Sequence, residues 1–356
     1  MFSLQQSEVN AMRGFSGCYT ALITPMKKSF EIDDEGLKSL AEFQAREGVK
    51  GVLAVGTTGE SPTLNWNEHK KVMDKVHQYL GGRCLTIAGT GSNSTEETME
   101  ATQHSWDSGI RCILLVDPYY NGPSSLEIRK EYVEPVARRF PEIQIIPYVI
   151  PGRTGTQLLP QDLAIIHSQF ANVRAVKEAT GNLENMKLTR KLCGEDFDIL
   201  SGDDDKTYTM MTTPQLTANG VISVASNVAP RAVQNMVQCI FDGNMEKANE
   251  LCEALQPLFS IVTVKTDEQT PFGLVACRAR NPLPYKILMN ILGMPSGPCR
   301  PPLGKVTRNG LAVVLTNARK VYENNPEILR PVEEFFDLDL GEHLYNERFW
   351  QGLCYD

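Results

Sequence analysis

The chain has 356 residues, of which 42% are hydrophobic and 22% are charged, and its formal net charge is -8. This composition is that of an ordinary globular protein, long enough for one large domain or two. Because the charge is acidic and no long basic run occurs, a groove for nucleic acid and a site for an anionic membrane surface are both disfavoured.

The cysteines and histidines argue against a disulfide scaffold and against a metal site. The nine cysteines are scattered, odd in number and never spaced as CxxC, and the five histidines include no HExxH motif. We therefore expect reduced thiols and no metal.

Residues 1–16 lack the apolar core of a signal peptide, and no stretch approaches the roughly 18 apolar residues of a membrane span. The expected location is cytoplasmic, with no membrane partner.

Short apolar runs rich in β-branched residues alternate with longer segments of helical periodicity along the first two-thirds of the chain. The predicted strands are 18–24, 51–55, 84–88, 112–116, 143–149, 173–176, 199–201 and 220–224. The predicted helices between them include 34–47, 67–80, 95–108 and 125–139. The third of these helices has a capping signal, with Ser94 as N-cap and Glu97 as its capping-box partner.

Eight strands that alternate with helices predict an α/β fold, a (β/α)8 TIM barrel over residues 15–228 that follows an N-terminal arm at 1–14. An open, doubly wound sheet is the alternative, but it would break more naturally into two halves. No turn between a strand and a helix carries the GxGxxG fingerprint, and residues 56–60 lack the Gly-Lys-Ser/Thr ending of a P-loop. The barrel is therefore the better prediction.

The chain changes character after Ala229. Helical patterns at 231–241, 245–264, 283–292 and 310–324 predict an all-helical region over 229–324, with a proline-rich loop at 295–302. An extra tail over 325–356 keeps many apolar side chains, which is unusual for a disordered segment. We expect this C-terminal helical extension to end in a tail that docks on its own subunit or on a neighbour.

The sequence around Lys177 gives the clearest indication of a catalytic residue. It follows the apolar, β-branched residues of the sixth predicted strand, where burial would disfavour the ammonium and lower the pKa of the amine. A neutral amine is a nucleophile that can condense with a carbonyl, so Lys177 is a Schiff-base candidate. On this local pattern alone, a strand-end lysine that points into solvent is the other interpretation.

The ends of several other predicted strands also carry reactive side chains. Active sites of such barrels are built at these C-terminal ends, so the side chains are expected to share one face. They are Thr57 and Thr58 after the second strand, Tyr119 and Tyr120 after the fourth, Tyr148 and Arg153 at and beyond the end of the fifth, and Asp203 and Asp204 after the seventh. The two aspartates are interpreted as structural.

Seven short motifs follow one another along the chain. They are GTTGES at 56–61, AGTG at 88–91, PYYNGPS at 118–124, YVIPGRTG at 148–155, KEATGN at 177–182, SGDD at 201–204 and GVISV at 220–224. Their order is typical of the dihydrodipicolinate synthase family, so the chain resembles these pyruvate-dependent class I aldolases and lyases over roughly residues 15–310. One motif alone would be weak evidence, whereas seven in register are specific.

The resemblance implies a reaction. Lys177 would form an imine with pyruvate, and the derived enamine would attack L-aspartate 4-semialdehyde. The product would be 4-hydroxy-tetrahydrodipicolinate, in the committed step of diaminopimelate and lysine biosynthesis. No cofactor is implied beyond the covalent imine, and no metal.

The resemblance also implies roles for individual residues. Tyr148 would move protons, linked through the Thr57 hydroxyl to a Tyr120 that reaches across from a neighbouring subunit. The substrate-binding residues would be Thr58 for the pyruvate carboxylate, Arg153 for the carboxylate of the second substrate, and the backbones of Gly202 and Ile222. From the residues alone, the alternatives are a tyrosine that fills core volume and threonines in a turn that cap the following helix.

Assembly and regulation are further implications of the resemblance. The family pattern implies a homotetramer built as a dimer of dimers, and L-lysine as a feedback ligand in a cleft between two subunits. The matching positions are Ser61, Trp66, His69, Asn93, Glu97 and Tyr119. Glu97 could pair with an ammonium and Trp66 could cover an aliphatic stem, whereas His69 alone is more typical of a solvent-facing helix residue.

Two positions depart from the family pattern. Val149 stands where asparagine is usual, and Gly152 where serine or another small residue is common.

Several rival functions compete with that of the synthase. An N-acetylneuraminate lyase or a 2-keto-3-deoxy sugar-acid aldolase would keep Lys177 and Tyr148, but Arg153 favours the synthase. A phosphate-handling isomerase is disfavoured because the acidic run at 203–205 would repel phosphate, and a binding protein without catalysis because the reactive residues are retained together.

Overall fold

Eight parallel strands close into a barrel in the computed structural model, which describes residues 14–355. The strands are β1 Gly17–Ala21, β2 Gly51–Ala54, β3 Leu85–Gly89, β4 Cys112–Val116, β5 Gln144–Val149, β6 Ala175–Glu178, β7 Asp198–Ser201 and β8 Gly220–Ser223. Nearly all of their residues are buried, as expected for strands covered on both faces. The predicted (β/α)8 TIM barrel is confirmed, and the open sheet is excluded. The predicted arm at 1–14 lies, except for Gly14, outside the described residues.

Helices alternate with these strands. They are α1 Asp34–Arg46, α2 Trp66–Leu80, α3 Thr95–Asp107, α4 Ser125–Glu127, α5 Glu134–Arg139, α6 Pro151–Thr154, α7 Pro160–Gln169, α8 Leu183–Cys193 and α9 Thr207–Thr212. The predicted helix at 125–139 is divided, because a π-helical stretch at Ile128–Val133 joins α4 to α5. Pro135, in the first turn of α5, has no N–H to continue the regular pattern there.

The capping box predicted at the start of α3 is only partly present. The Ser94 hydroxyl accepts the Glu97 N–H at 3.4 Å, so Ser94 is the N-cap as predicted. The Glu97 carboxylate, however, accepts a hydrogen bond from the Ser92 hydroxyl instead of closing a capping box.

β6 begins two residues later than the pattern predicted, and the difference concerns Lys177. Parallel pairing places Lys177 opposite Tyr148 of β5 and opposite Leu200 of β7. The pairing continues through Glu178, so Lys177 is an internal strand residue rather than the first residue of a loop. Its side chain is therefore set by the sheet, which is the more rigid support for a reacting group.

The described chain divides into two compact units. The first unit comprises 14–19, 50–56 and 65–223, and the second comprises 20–49, 57–64 and 224–355. Lys177, Tyr148 and Arg153 belong to the first unit, whereas Thr57 and Thr58 belong to the second. No helix within residues 14–355 combines the length and the apolar character needed to cross a bilayer, and all nine cysteines, each within that range, are thiols.

The part of the second unit beyond Ala229 is only partly as predicted. Its helices are α10 Pro230–Phe241, α11 Met245–Ile261, α12 Leu283–Leu292, α13 Arg308–Asn324, α14 Arg330–Phe336 and α15 Leu340–Tyr345. The all-helical prediction for 229–324 is wrong between α11 and α12, where β9 Thr263–Thr270 and β10 Gly273–Arg280 pair as an antiparallel hairpin. Val262, Thr263 and Val264 are β-branched, and such residues favour strands over helices.

The C-terminal tail packs on the second unit. The rings of Phe335 and Phe336 lie 5.2 Å and 5.3 Å from the ring of Phe43 in α1, measured between ring centres. Leu340 and Leu344 of α15 are fully buried. The tail was expected to dock on its own subunit or on a neighbour, and these contacts are made within its own chain.

Candidate active site

Lys177 is buried in the first unit, with 4% of its surface exposed. Burial lowers the pKa of its amine from the usual 10.5 to about 8, because desolvation disfavours the ammonium. The carboxylates of Asp204 and Asp203 act in the opposite direction on this pKa, and the Arg153 guanidinium adds to the lowering. The interpretation of Lys177 as a solvent-facing strand end is therefore wrong.

Tyr148 lies directly beside Lys177. The Lys177 Nζ is 4.2 Å from the centre of the Tyr148 ring, and the tyrosine itself is 4% exposed. An amine over an aromatic face is held by the ring quadrupole when it is protonated. The phenol and the amine thus share one buried environment, as a proton-transfer partner of the amine requires.

Gly202 leaves room for the Lys177 side chain. A Cβ at position 202 would lie 2.8 Å from the Ala179 Cβ and 3.2 Å from the Lys177 Cε. Any side chain there would clash with Ala179 and crowd the stem of the lysine. Gly202 is a predicted pocket-lining residue, and this close approach explains the need for glycine at that position. Ile222 of β8 is fully buried in the barrel wall, as expected for an apolar lining residue.

Asp203 and Asp204 influence the charge of Lys177, so the prediction that they are purely structural is incomplete. Asp204 is 4% exposed and accepts a hydrogen bond from the Ser223 hydroxyl, so it does have a structural contact. Burial raises the pKa of Asp203 to about 6, so this carboxyl is ionised at neutral pH. Their position after β7, beside the strand of Lys177, was the signal that could have revealed this role.

Arg153 lies in α6, the short helix that follows β5, and is half-buried. The loop beyond α6 is tied to the barrel, because the Asp117 carboxylate accepts the Leu158 N–H at 3.0 Å. The family departure at Gly152 has no steric cause, since a Cβ there would meet nothing within 4 Å. Val149, the other departure, is buried at the end of β5.

Thr57 and Thr58 begin a tight loop of the second unit. Thr57–Gly59 forms a 3-10 turn, and Thr58 is 2% exposed. The Asn281 side-chain amide donates to the Thr58 hydroxyl oxygen at 2.8 Å. Neither Asn281 nor this contact was anticipated from the sequence.

A buried ion pair follows in the same loop. The Lys286 Nζ lies 2.6 Å from the Glu60 Oε1, and both side chains are essentially without exposure to solvent. The Lys286 ammonium also donates to the carbonyl oxygens of Thr24 at 3.1 Å and Pro298 at 2.9 Å. The pair is separated by more than half the chain, and no local pattern predicted it.

The two tyrosines after β4 differ in their surroundings. Tyr120 is 94% exposed and has a φ of +79°, an uncommon conformation for a residue with a side chain. The Tyr119 N–H donates to the Asn93 Oδ1 at 2.7 Å, which brings two of the six predicted regulatory residues together. The role of Tyr120 at a neighbouring subunit remains a prediction.

The other predicted regulatory residues are distributed over both units. The rings of Trp66 and His69 are 4.8 Å apart in α2, and His69 is 3% exposed, so its interpretation as a solvent-facing residue is wrong. Glu97 is exposed and contacts Ser92, while Ser61 belongs to the second unit. Among residues 14–355, no three His, Cys, Asp or Glu side chains are grouped so that they could hold a metal ion.

Known proteins are similar to this chain in sequence and in fold. The sequence profile of the Dihydrodipicolinate synthetase family matches residues 14–318. A 4-hydroxy-tetrahydrodipicolinate synthase of Methanococcus maripaludis is 39% identical over 287 residues, which are 81% of this chain and 92% of that protein.

Two solved structures illustrate the likeness in fold. The enzyme of Cyanidioschyzon merolae with lysine bound is 34% identical, with a TM-score of 0.78 over 86% of this chain and 98% of the other. The chloride-inhibited enzyme of Acinetobacter baumannii complexed with pyruvate is 29% identical, with a TM-score of 0.78 over 86% of this chain and 99% of the other. Both are named dihydrodipicolinate synthase. Together with the seven motifs and the barrel, these matches show that the chain belongs to the dihydrodipicolinate synthetase family, whose members are lyases of the class I aldolase type.

Proposed function

We propose that this protein condenses pyruvate with L-aspartate 4-semialdehyde to give 4-hydroxy-tetrahydrodipicolinate, in the pathway to diaminopimelate and lysine. The observation that carries the proposal is the buried Lys177, whose pKa is lowered to about 8 beside the ring of Tyr148. An amine with this pKa is about one-tenth neutral at pH 7, compared with about one part in 3,000 for a free lysine. Burial therefore supplies the nucleophile that imine formation needs.

The chemistry follows from this amine. The neutral Nζ of Lys177 adds to the keto carbon of pyruvate, and the oxygen of that carbon leaves as water. The resulting iminium withdraws electrons, so a methyl proton departs and an enamine forms. The enamine carbon then bonds to the aldehyde carbon of the semialdehyde, and the amino group of that substrate displaces Lys177 as the ring closes. Tyr148 is the proton donor and acceptor for these steps.

Further residues complete the proposed site. The Arg153 guanidinium binds the carboxylate of L-aspartate 4-semialdehyde, since its planar fork matches a carboxylate with two hydrogen bonds. Thr58 binds the pyruvate carboxylate, and Thr57 with Tyr120 extends the proton path from Tyr148, as the family pattern implies. The exposure of Tyr120 supports a role at a second subunit in a cytoplasmic homotetramer. No metal or other cofactor takes part in this scheme.

A direct substrate comparison tests the proposal. The purified protein is assayed with pyruvate and L-aspartate 4-semialdehyde, and separately with N-acetylneuraminate and with a 2-keto-3-deoxy sugar acid. We expect turnover with the semialdehyde at least about 100-fold above the other two. Cleavage of a sugar acid as the faster reaction would make the protein a sugar-acid aldolase that also uses Lys177.

The pH dependence of pyruvate capture follows from the pKa of Lys177. Because the neutral amine is the nucleophile, kcat/KM for pyruvate should rise with pH and level off above about 8. The Asp203 carboxylate favours the ammonium, so Asp203→Asn should move the midpoint of this rise to lower pH. Asp205→Asn is the matched control, because Asp205 is exposed and pairs with Lys206 at 3.0 Å. A midpoint that is identical in wild type and Asp203→Asn would contradict the electrostatic account.

Removal of the Tyr148 hydroxyl should slow turnover without loss of the fold. Tyr148→Phe keeps the ring that packs against Lys177 but cannot transfer a proton, so kcat should fall by roughly 100-fold. Steady-state rates and thermal melting of the variant provide the measurement. A rate within threefold of wild type would assign the proton transfer to another group.

Feedback inhibition by lysine is the regulatory part of the proposal. A relative of known structure binds lysine, and here Glu97 offers an exposed carboxylate while Asn93 is bonded to Tyr119. L-Lysine in the millimolar range should inhibit the wild type, and Glu97→Gln should weaken that inhibition at least about tenfold. Wild-type activity that does not change with lysine would remove the regulatory assignment and leave the catalytic one intact.

A further inference from the structure

The contact between Asn281 and Thr58 joins residues that are 223 positions apart in the chain. The Asn281 Nδ2 donates to the Thr58 Oγ1 at 2.8 Å. Both residues are almost fully buried, with 5% and 2% of their surfaces exposed. Water cannot replace either partner in such surroundings, so the donor and acceptor roles in this hydrogen bond are fixed.

The backbone on the Thr58 side of this contact is tightly held. Glu60, two residues later, has a φ of +59°, and its carboxylate accepts hydrogen bonds from the Lys286 ammonium at 2.6 Å and from the Arg300 N–H at 2.9 Å. The Arg300 guanidinium also donates to the Thr63 carbonyl oxygen at 3.1 Å. The loop that carries Thr58 is thus fixed from its C-terminal side.

Asn281 is held as well. Its N–H donates to the Val262 carbonyl oxygen at 2.8 Å, directly beside the last pair of the β9–β10 hairpin, Thr263 with Arg280. α12 begins at Leu283, two residues after Asn281. The base of the hairpin and the start of α12 therefore set the position of the Asn281 amide. Both the amide and the Thr58 hydroxyl are thus held in place.

The direction of this hydrogen bond determines what the Thr58 hydroxyl can do. A threonine hydroxyl has one proton, and an amide nitrogen can only donate. Because the Thr58 oxygen accepts from Asn281, its own proton is left for a different acceptor. The restricted χ1 rotation of a β-branched side chain limits the directions in which that proton can point.

We propose that Asn281 is a positioning residue that orients the Thr58 hydroxyl as a hydrogen-bond donor for the carboxylate of the keto-acid substrate. This inference rests on the proposed function, in which Thr58 binds that carboxylate. Asn281 does not touch substrate in this account. It acts by donating to one lone pair of the Thr58 hydroxyl oxygen, which leaves the hydroxyl proton for the ligand.

Asn281→Asp is the variant that tests this inference most sharply. Aspartate has nearly the shape of asparagine, but its carboxylate only accepts, so the Thr58 hydroxyl would donate to the introduced carboxylate and lose its proton for substrate. The added negative charge would also repel the substrate carboxylate. We expect KM for pyruvate to rise at least about tenfold, while kcat at saturating pyruvate changes less than about threefold.

A matched control separates this effect from general loss of packing. Asn290 of α12 is an amide in the same unit that donates to the Lys286 carbonyl oxygen at 2.8 Å and to the Gly297 carbonyl oxygen at 2.9 Å. Asn290→Asp should leave KM for pyruvate unchanged, whatever its melting temperature. A rise of KM in both variants would mean that disturbance of the second unit, and not the direction of one hydrogen bond, controls pyruvate binding.

A double-mutant cycle gives the decisive outcome, and it applies even if Asn281→Asp does not fold. Asn281→Ala should raise KM for pyruvate several-fold in the wild type but should have no further effect when Thr58→Val has already removed the hydroxyl. Equal effects of Asn281→Ala in both backgrounds, or an unchanged KM in the single variants, would overturn the inference. If the wild type itself shows no turnover of pyruvate with the semialdehyde, the proposed function fails instead, and the two failures are distinguished.

Discussion

Replacement of Lys177 by methionine should abolish imine formation and lower turnover by at least roughly 1,000-fold, equivalent to about 4 kcal/mol of activation free energy. The amine is the only protein group in the proposed scheme that bonds covalently to pyruvate, and a thioether cannot take its place. Rates with pyruvate and L-aspartate 4-semialdehyde, measured at saturation, give the comparison.

Methionine is a suitable replacement because the lysine is buried and its stem is packed against Gly202. The substitution keeps an unbranched side chain of similar volume and removes a charge that is costly to bury, so the fold should be retained or slightly stabilised. Lys187→Met, at a partly exposed lysine of α8 that pairs with Glu184, should keep wild-type activity. Substantial turnover by a folded Lys177→Met variant would contradict the covalent scheme.

Loss of the buried partner of Glu60 should produce the largest effect on stability. Lys286→Met leaves the Glu60 carboxylate in the interior without its ammonium, and the removal of one partner of such a pair costs about 3–5 kcal/mol. The measurement is the free energy of unfolding from denaturant titration at neutral pH.

The complementary variant separates the charge from the contacts. Glu60→Gln leaves the Lys286 ammonium with two carbonyl acceptors, Thr24 and Pro298, so its cost should be smaller than that of Lys286→Met. The double variant should recover part of the loss, because neither member of the pair is then left unpaired. A change below about 1 kcal/mol for Lys286→Met would show that this pair does not hold the loop.

The same ion pair supports an unusual backbone conformation. Glu60 adopts a φ of +59°, and such left-handed residues other than glycine cost on the order of 1–3 kcal/mol unless their surroundings hold them. Here the Glu60 side chain and its bonds to Lys286 and Arg300 supply that restraint. The restrained loop also carries Thr57 and Thr58, to which the proposed function assigns roles in catalysis and substrate binding.

Much of the barrel was predictable, because strands that are buried on both faces appear as continuous apolar runs. The fourth strand was predicted at 112–116 and is observed at Cys112–Val116. The sixth was predicted too early, because its last residues, Lys177 and Glu178, are charged and resemble a loop although they pair with both neighbouring strands. A local pattern cannot show that a charged side chain is buried.

The hairpin between α11 and α12 escaped prediction for a different reason. Successive side chains of the hairpin point alternately away from α13 and toward it. On the side toward α13, the hydroxyl groups of Thr266 and Thr307 are 3.2 Å apart. On β9 this face carries Thr266, Glu268 and Thr270 beside the buried Val264, so the alternation of hydrophobic and polar residues that signals a strand is weak. Phe272, at the turn, is fully exposed, which further obscures the pattern.

The candidate site divides in the same way. Lys177, Tyr148 and Arg153 were found from their places at the ends of predicted strands and from the family motifs. The contacts that hold the loop of Thr58 were not found, because they depend on long-range packing. They are the contact of Asn281 with Thr58 and that of Lys286 with Glu60, whose partners are 223 and 226 residues apart.

Borohydride trapping tests the central claim most directly. The protein is incubated with pyruvate, reduced with sodium borohydride, digested and examined by mass spectrometry, with Lys177→Met and a sample without pyruvate as controls. The account predicts that one reduced three-carbon adduct forms, on the peptide that contains Lys177, and that it is absent from both controls. No adduct, or an adduct on another lysine that persists in Lys177→Met, would contradict the account.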